Sequence, residues 1–476
     1  MLQTEIHDFS LWINGQPVKT METRNVLNKY TQEPIATIAV ATKEHVFQAV
    51  KAGKKALDSD FPPYKRYQVI MKAADLLQQK RDTFAETLAK EVGKPLKECY
   101  GEVDRSIQTL ILSAEEAKRI HGEGVPVEAA VGSENRMAFT IKVPVGVIAA
   151  ITPFNVPLNL VCHKIGPGLA AGNSVVLKPA EKTPMVALLL TELFKQAGLP
   201  SGRLNTLTGS GREIGNWLLE NKDVAMFTFT GSQPVGEYLR ARAGIRKVSL
   251  ELGNNSATLV HKDSDLEKAA NLVTARGFNN AGQVCISVQR VYVHEEVKET
   301  FLSLVKQKTE ALRIGDPFDE QTDIGPMIDI QEAQRVEEWV NEAVNEGANL
   351  ITGGVREGAL FTPTVLEKVE PAMKVSCEEV FGPVIAISSY TEIDEVLDRI
   401  NDSKYGLQAG VFTNDLNLAM KAARKIEVGG VIINDTSAYR VDQMPYGGVK
   451  DSGNGKEGPA YAIEEMTEER LIVLNL

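Results

Sequence analysis

The 476-residue sequence predicts an α/β fold built on a doubly wound parallel sheet, in a chain long enough for two or more domains. Three observations carry that prediction. Short stretches rich in Val, Ile and Thr recur from about residue 139: "FTIKVPVGVIAAITPF", "NSVVLKPA", "RLNTLTG" and "AMFTFTG". Helix-like segments separate them, among them "TPMVALLLTELFKQAGLP" and "REIGNWLLENK". Two glycine-rich turns, "TGSGREIG" and "TGSQPVG", stand where a strand passes into a helix.

Taken in order, the chain opens with a short β-rich stretch and continues as helix. "KEHVFQAVKAGKKALDS" and "KRYQVIMKAADLLQQKRDTFAETLAKEVGKP" place apolar residues at helical spacing, and Gly93 and Pro95 close the second. The strand–helix alternation follows. A second alternating series is expected to start at "KVSLELGNNSATLV" and to run to about residue 445. The tail "ERLIVLNL" reads as an apolar strand that needs a partner sheet, in this chain or in another subunit. In "TGSQPVG", Ser232 is placed to cap a helix with Pro234 in its first turn. The following Glu237 rules out a phosphate-binding loop ending in Lys-Ser/Thr.

The composition narrows the function. A net charge of −11 opposes general attraction to nucleic acid or anionic lipid. The start "MLQTEIHDFSLWING" has no basic segment followed by an apolar one, and no apolar run is long enough to span a bilayer, so a cytoplasmic location is expected. Four separated cysteines, Cys99, Cys162, Cys285 and Cys377, fit free thiols better than disulfides, and no zinc-ligand spacing is present. No metal is expected.

Several residues invite chemistry without proving it. Cys285 in "GQVCISV" is either a small hydrophobe or a nucleophile, with a histidine brought near in space, such as His163, as its base. Glu251, flanked by Leu250 and Leu252, is either a desolvated carboxyl or the polar face of a strand. Asn155, in the proline-stiffened "ITPFNVPLNL", is either an oxyanion donor or part of a turn. Lys178 and Glu181 end the strand "NSVVLKPAE".

In combination and in order, "ITPFNVPL", "LKPAEKTP", "FTGSQPVG", "LELGNN", "GQVCISV", "EEVFGPV" and "MPYGGVKDSGNGKEG" closely resemble the aldehyde dehydrogenase superfamily over essentially the whole length. The resemblance implies a Rossmann-type cofactor domain (1–121 and 145–253), an α/β catalytic domain (254–445) and a small β oligomerisation arm (122–144 and 446–476). It implies a homodimer or homotetramer. It makes Cys285 the nucleophile that forms a thiohemiacetal, Asn155 an oxyanion donor and Glu251 the general base that hydrolyses the thioester. Lys178 and Glu181 fall where the family holds the adenosine ribose, Gly211 and Ser232 at the adenine and pyrophosphate turns, and Glu379 and Phe381 at the nicotinamide ribose and ring. Thr152, Pro153, Phe154, Thr230, Gly231 and Leu252 complete that cofactor set.

The Glu181 carboxylate would accept a ribose hydroxyl and repel a 2′-phosphate, which favours NAD; nearby Lys178 leaves NADP open. Because coenzyme A-acylating members generally lack the glutamate at 251, a free acid is the expected product. The pattern "PLNLVCHKI…GQVCISV" is nearest the lactaldehyde dehydrogenase-like branch, whose relatives oxidise small aldehydes, some of them anionic. There His163 would line the substrate channel, with Arg105 and Arg440 at its mouth. Val284 stands where phosphate- and phosphonate-using relatives often carry Arg. A small polar aldehyde such as lactaldehyde is therefore expected, with an anionic one as the alternative. One departure is Asn254, where the family usually has a second Gly.

Overall fold

The computed structural model describes residues 7–476. Its first large sheet runs, edge to edge, Lys247–Glu251, Val224–Thr230, Val147–Ile151, Ser174–Lys178, Leu204–Thr206, Leu11–Ile13 and Gln16–Val18. The first five strands are parallel; the last two form an antiparallel edge. Alternation along each strand decides which helices cover which face. Ile148 and Ala150 point into the core beneath helices Pro63–Gln79, Leu96–Ala117, Asn159–Ala170 and Met185–Gln196. Val147 and Ala149 point the other way, toward Val46 and Val50 of helix Lys43–Ala56 and Ile214 and Leu218 of helix Gly211–Glu220. The sheet is doubly wound, as predicted.

A second seven-stranded sheet runs Asn349–Thr352, Thr364–Glu367, Val384–Tyr390, Arg290–His294, Ala257–Val260, Gln408–Phe412 and Gly430–Ile433. It is parallel except at the Asn349–Thr352 edge. Val291 and Val293 pack on one face and Leu259 and Tyr292 on the other, so this sheet is covered on both sides as well. A third, antiparallel sheet joins Thr467–Asn475, Arg136–Pro144 and Gly124–Val125.

Three local expectations change. The long helix expected over residues 65–95 is two, Pro63–Gln79 and Arg81–Val92, broken at Lys80 (φ −105°, ψ 20°); Gly93 ends the second in the left-handed conformation, as Gly permits. "FTIKVPVGVIAAITPF" holds two strands of different sheets, separated at Pro144 and at Gly146 (φ 128°). "KVSLELGNNSATLV" is divided likewise: Lys247–Glu251 closes the first sheet and Ala257–Val260 sits inside the second. Local hydropathy cannot distinguish one long strand from two that part at a loop. The terminal strand finds its partner, Arg136–Pro144, within its own chain. Among the described residues no helix is long and apolar enough to cross a membrane.

Candidate active site

Chain order in the first sheet reverses beside strand Val147–Ile151, and at such a switch point the carboxyl ends of parallel strands leave a crevice. A cleft of about 660 Å³ lies there. Strand Val147–Ile151 leads into Thr152, Pro153, Phe154 and Asn155 on its wall; strand Ser174–Lys178 supplies Lys178 and, past it, Glu181. Strand Val224–Thr230 supplies Thr230, Gly231 and Ser232, and strand Lys247–Glu251 leads into Leu252. Gly211 opens the helix Gly211–Glu220, while Cys285, Glu379 and Phe381 close the cleft from the side of the second sheet. All the residues that the resemblance assigns to a cofactor therefore line one cleft together with Asn155 and Cys285.

The chemistry of that wall varies along its length. Among the described residues the Lys178 ammonium has no hydrogen-bond partner, although its carbonyl accepts the Thr152 amide, and burial pushes the ammonium down to about 8. Glu181 accepts a hydrogen bond from the Gly211 amide and lies 3.4 Å from Arg24, a neighbour from strand Thr23–Leu27 that the sequence did not single out. Ser232 stands at the N-cap of helix Gln233–Ala243, with Pro234 in the first turn, but its hydroxyl makes no capping bond, so the first-turn amides have no side-chain partner. Nearer Cys285, the Phe154 and Phe381 rings meet edge to face at 5.8 Å. Burial raises the Glu379 carboxyl to about 7, and it accepts the Asn254 amide at 2.9 Å. A Cβ on Gly253 would lie 2.6 Å from that carboxylate, so a larger residue there would displace the Glu379 side chain. At 254 only the backbone meets Glu379, and the Asn side chain turns away to Ser256. The departure at 254 thus leaves the contact with Glu379 intact.

The loop before Cys285 is strained and braced. Asn280, Ala281 and Gly282 take φ of 50°, 53° and 70° in succession, which costs on the order of 1–3 kcal/mol for each non-glycine residue. Hydrogen bonds hold it. Asn280 donates its amide to Glu98 (3.1 Å) and its Nδ2 to the Asn155 carbonyl (3.1 Å). Asn155 Nδ2 donates to the Gln283 carbonyl (2.9 Å), and Gln283 Oε1 accepts the Ile328 amide (2.9 Å). Asn155 and Cys285 are therefore fixed within one network.

The Cys285 sulfur lies 2.8 Å from the Tyr446 hydroxyl, and His163 is not its partner. Burial raises the thiol to about 11, against the pull of Tyr446 and Arg440 toward the thiolate. Tyr446→Phe removes a donor to the thiolate and leaves the burial. The expected result is about a fivefold slower alkylation of Cys285 by iodoacetamide at fixed pH, corresponding to a hydrogen bond of about 1 kcal/mol, with the pH profile moved upward.

Behind the sulfur lies a buried charge cluster. The Arg440 guanidinium stacks 3.7 Å from the Tyr446 ring centre and donates to Glu457 (2.7 Å), while its Nε has no partner. Burial alone would raise Glu457, yet Arg440, His163 and Lys164 hold it down to about 2. Glu251 is not on the cleft wall. Both of its carboxylate oxygens are buried without partners, and burial, then Glu457, raise it well above the usual carboxyl range. His163, expected to line a channel, is enclosed: its Nε2 donates to Asp442 (2.9 Å) and it stands 3.1 Å from Arg440. Arg105 grips the same Asp442 through two hydrogen bonds, of 2.7 and 3.1 Å, and remains partly exposed. No group of three or more potential metal-ligating side chains exists among the described residues.

Tyr446, Glu457, Asp442, Lys164, Asn280, Glu98 and Arg24 were not found from sequence. Tyr446 and Glu457 stood inside the quoted "MPYGGVKDSGNGKEG", but nothing local shows that this stretch folds back onto Cys285.

With this geometry established, comparison with known proteins is decisive for the family. A profile of the aldehyde dehydrogenase family matches residues 12–472. A 3-sulfolactaldehyde dehydrogenase of Priestia aryabhattai is 67% identical over 473 residues, covering 99% of each chain. A lactaldehyde dehydrogenase of Methanococcus vannielii is 45% identical over 471 residues, 98% of this chain and 100% of that one. The crystal structure of a glyceraldehyde-3-phosphate dehydrogenase from Methanocaldococcus jannaschii, complexed with NADP, superposes with a TM-score of 0.92 at 40% identity, over 96% of this chain and 100% of that one. The chain belongs to the aldehyde dehydrogenase family.

Proposed function

We propose that this aldehyde dehydrogenase oxidises a small 2-hydroxyaldehyde of the lactaldehyde frame to its free acid, with NAD(P) as oxidant and without coenzyme A. The observation that carries the reading is that Cys285 and Asn155 close the same cleft whose wall holds Lys178, Glu181 and Glu379. That wall fits a dinucleotide. An unpartnered buried ammonium and a carboxylate stand at one end, uncapped helix amides in the middle, and a carboxyl beside two aromatic edges near Cys285. Lys178 and Glu181 would hold a ribose, Ser232 and its helix the pyrophosphate, and Glu379 with Phe381 the nicotinamide end. When bound, NAD(P) supplies the hydride acceptor.

The protein's own groups do the rest. The Cys285 thiolate attacks the aldehyde carbon, and the carbonyl electron pair moves onto oxygen, where Asn155 Nδ2 and the Cys285 amide stabilise it. After oxidation to the thioester, Glu251 takes a proton from water as that water attacks. The C–S bond then breaks and returns the thiolate. The unpartnered Glu251 carboxylate suits this role, since no hydrogen bond must be broken for it to turn toward the thioester.

For the cofactor, Glu181 favours NAD, while Lys178 and Arg24 beside it make NADP acceptable. The functional division follows the three sheets: residues 1–121 and 145–253 for the cofactor, 254–445 for catalysis, and 122–144 and 446–476 for assembly into a homodimer or homotetramer. The exposed Met137, Leu471 and Val473 of the third sheet support that assembly role.

A sulfonated aldehyde is the second reading. It is favoured by the 67% identical 3-sulfolactaldehyde dehydrogenase, by the unpartnered Nε of Arg440 and by the partly exposed Arg105. The pairing of both arginines with carboxylates favours the neutral substrate instead. Measuring kcat/KM for lactaldehyde and 3-sulfolactaldehyde decides between them. A neutral preference is expected to survive Arg105→Met. A sulfonate preference above about tenfold that Arg105→Met erases would assign that arginine to the anion. Turnover that requires coenzyme A would overturn the proposal.

A further inference from the structure

Outside the catalytic cluster, one buried cation stands apart. Lys29, just past strand Thr23–Leu27, is nearly inaccessible, and its ammonium donates to two backbone carbonyls, Leu27 (2.9 Å) and Lys182 (3.0 Å). Lys182 belongs to the turn that carries Glu181 into the cofactor cleft. The far end of that turn is held from the same side. Glu91, buried in helix Arg81–Val92, accepts the amides of Met185 (2.8 Å) and Val186 (3.0 Å) at the start of the next helix, and its charge acts on Lys29. A neighbouring cavity of about 390 Å³ is lined by Lys29, Gln32, Glu181 and Lys182, so the ammonium site adjoins space open to small solutes.

We propose that Lys29 is a positioning residue for the cofactor: its ammonium, balanced by Glu91, clamps the 180–184 turn from beneath and so fixes Glu181 for nucleotide binding. The physical basis is that a charged donor holds two carbonyls that otherwise have no cation to face, and a neutral side chain there would release the turn from its support. The consequence for the cofactor rests on the dinucleotide reading of the cleft; the clamp itself does not.

Burial lowers the Lys29 ammonium to about 8, with Glu91 and Asp329 raising it and Lys182 lowering it, so the clamp weakens as pH climbs past that value. Burial raises the Glu91 carboxyl to about 7 and Lys178 titrates near the same range as Lys29, so the contribution of Lys29 is the difference between wild type and Lys29→Met across pH 7 to 9.

Two readouts test the proposal. Amide hydrogen exchange over residues 179–190 is expected to be faster in Lys29→Met while the second sheet is unchanged. The Kd for NAD or NADP, measured by titration, is expected to rise about tenfold, with kcat at saturating cofactor within about twofold of wild type. In Lys29→Ala, methylammonium chloride is expected to recover the lost affinity where equal sodium chloride does not. Unchanged exchange in the turn would overturn the clamp. Faster exchange with unchanged Kd would overturn its role in cofactor positioning. A wild type that binds neither nucleotide would overturn the dinucleotide reading, and with it that positioning role, while the exchange result still decides the clamp.

Discussion

Replacing Cys285 with alanine is expected to lower kcat by about 10⁵- to 10⁶-fold, because the covalent route disappears and no second nucleophile stands in its place. Among the described residues the sulfur is the only thiol on the cleft wall; Cys99 and Cys162 are buried among helices, and Cys377 is exposed elsewhere. The variant is expected to fold and to bind nucleotide as the wild type does, since Cys285 contributes little packing and one hydrogen bond. Steady-state assay with a small hydroxyaldehyde, alongside a nucleotide titration, checks this. Residual turnover near the wild-type rate would show that the thiohemiacetal route is wrong.

Glu251→Gln has the second largest expected effect, a loss of about 10³- to 10⁴-fold in kcat, with the acylation half left intact. An acyl adduct on Cys285 is therefore expected to accumulate and to appear in the intact mass of the protein after mixing with aldehyde and cofactor. In the wild type no such adduct is expected to persist. Absence of the adduct in the variant would place Glu251 before the thioester instead of after it.

The pH dependence has a definite sign. Burial keeps both Cys285 and Glu251 protonated beyond their ordinary ranges, and the proposed mechanism uses the deprotonated form of each. Activity is therefore expected to climb from neutral toward alkaline pH. Stability moves the other way. A carboxyl whose folded pKa exceeds its unfolded value of about 4.3 contributes stability below that value and loses it as pH rises through the folded one. Glu251→Gln is thus expected to melt at a higher temperature than wild type at alkaline pH, with the gap closing in acid. Thermal melts across pH check this.

The strain before Cys285 and the burial of Glu251 have a common logic. Both are unfavourable for folding, and in the proposed mechanism both prepare a reacting group, with surrounding hydrogen bonds carrying the cost. Glu98 and Glu102 of one helix illustrate the support. Glu98 takes the Asn280 amide, and one turn later Glu102 takes the Leu158 amide and pairs with Lys94. A single helix face thereby holds both the loop that leads to Cys285 and the loop that follows Asn155.

Much of this protein was determined by its sequence. The alternation of Val/Ile/Thr strands with amphipathic helices specified a doubly wound sheet, because period-2 and period-3.6 hydropathy are local properties. Thr152, Pro153, Phe154, Lys178, Glu181, Gly231, Ser232 and Leu252 were legible as a set because they end or closely follow parallel strands, whose carboxyl ends converge at a switch point, whereas Cys285, Glu379 and Phe381 lie in loops and were singled out by the family resemblance. Tertiary structure alone decided what lies between motifs. It divided apparent long strands between different sheets, brought Tyr446 to within 2.8 Å of Cys285, and enclosed His163 against Asp442. It also neutralised Arg105 and Arg440 with carboxylates far away in the chain or across a loop. Those pairings depend on which loops meet in space, and a charge in a sequence does not reveal the charge that will face it.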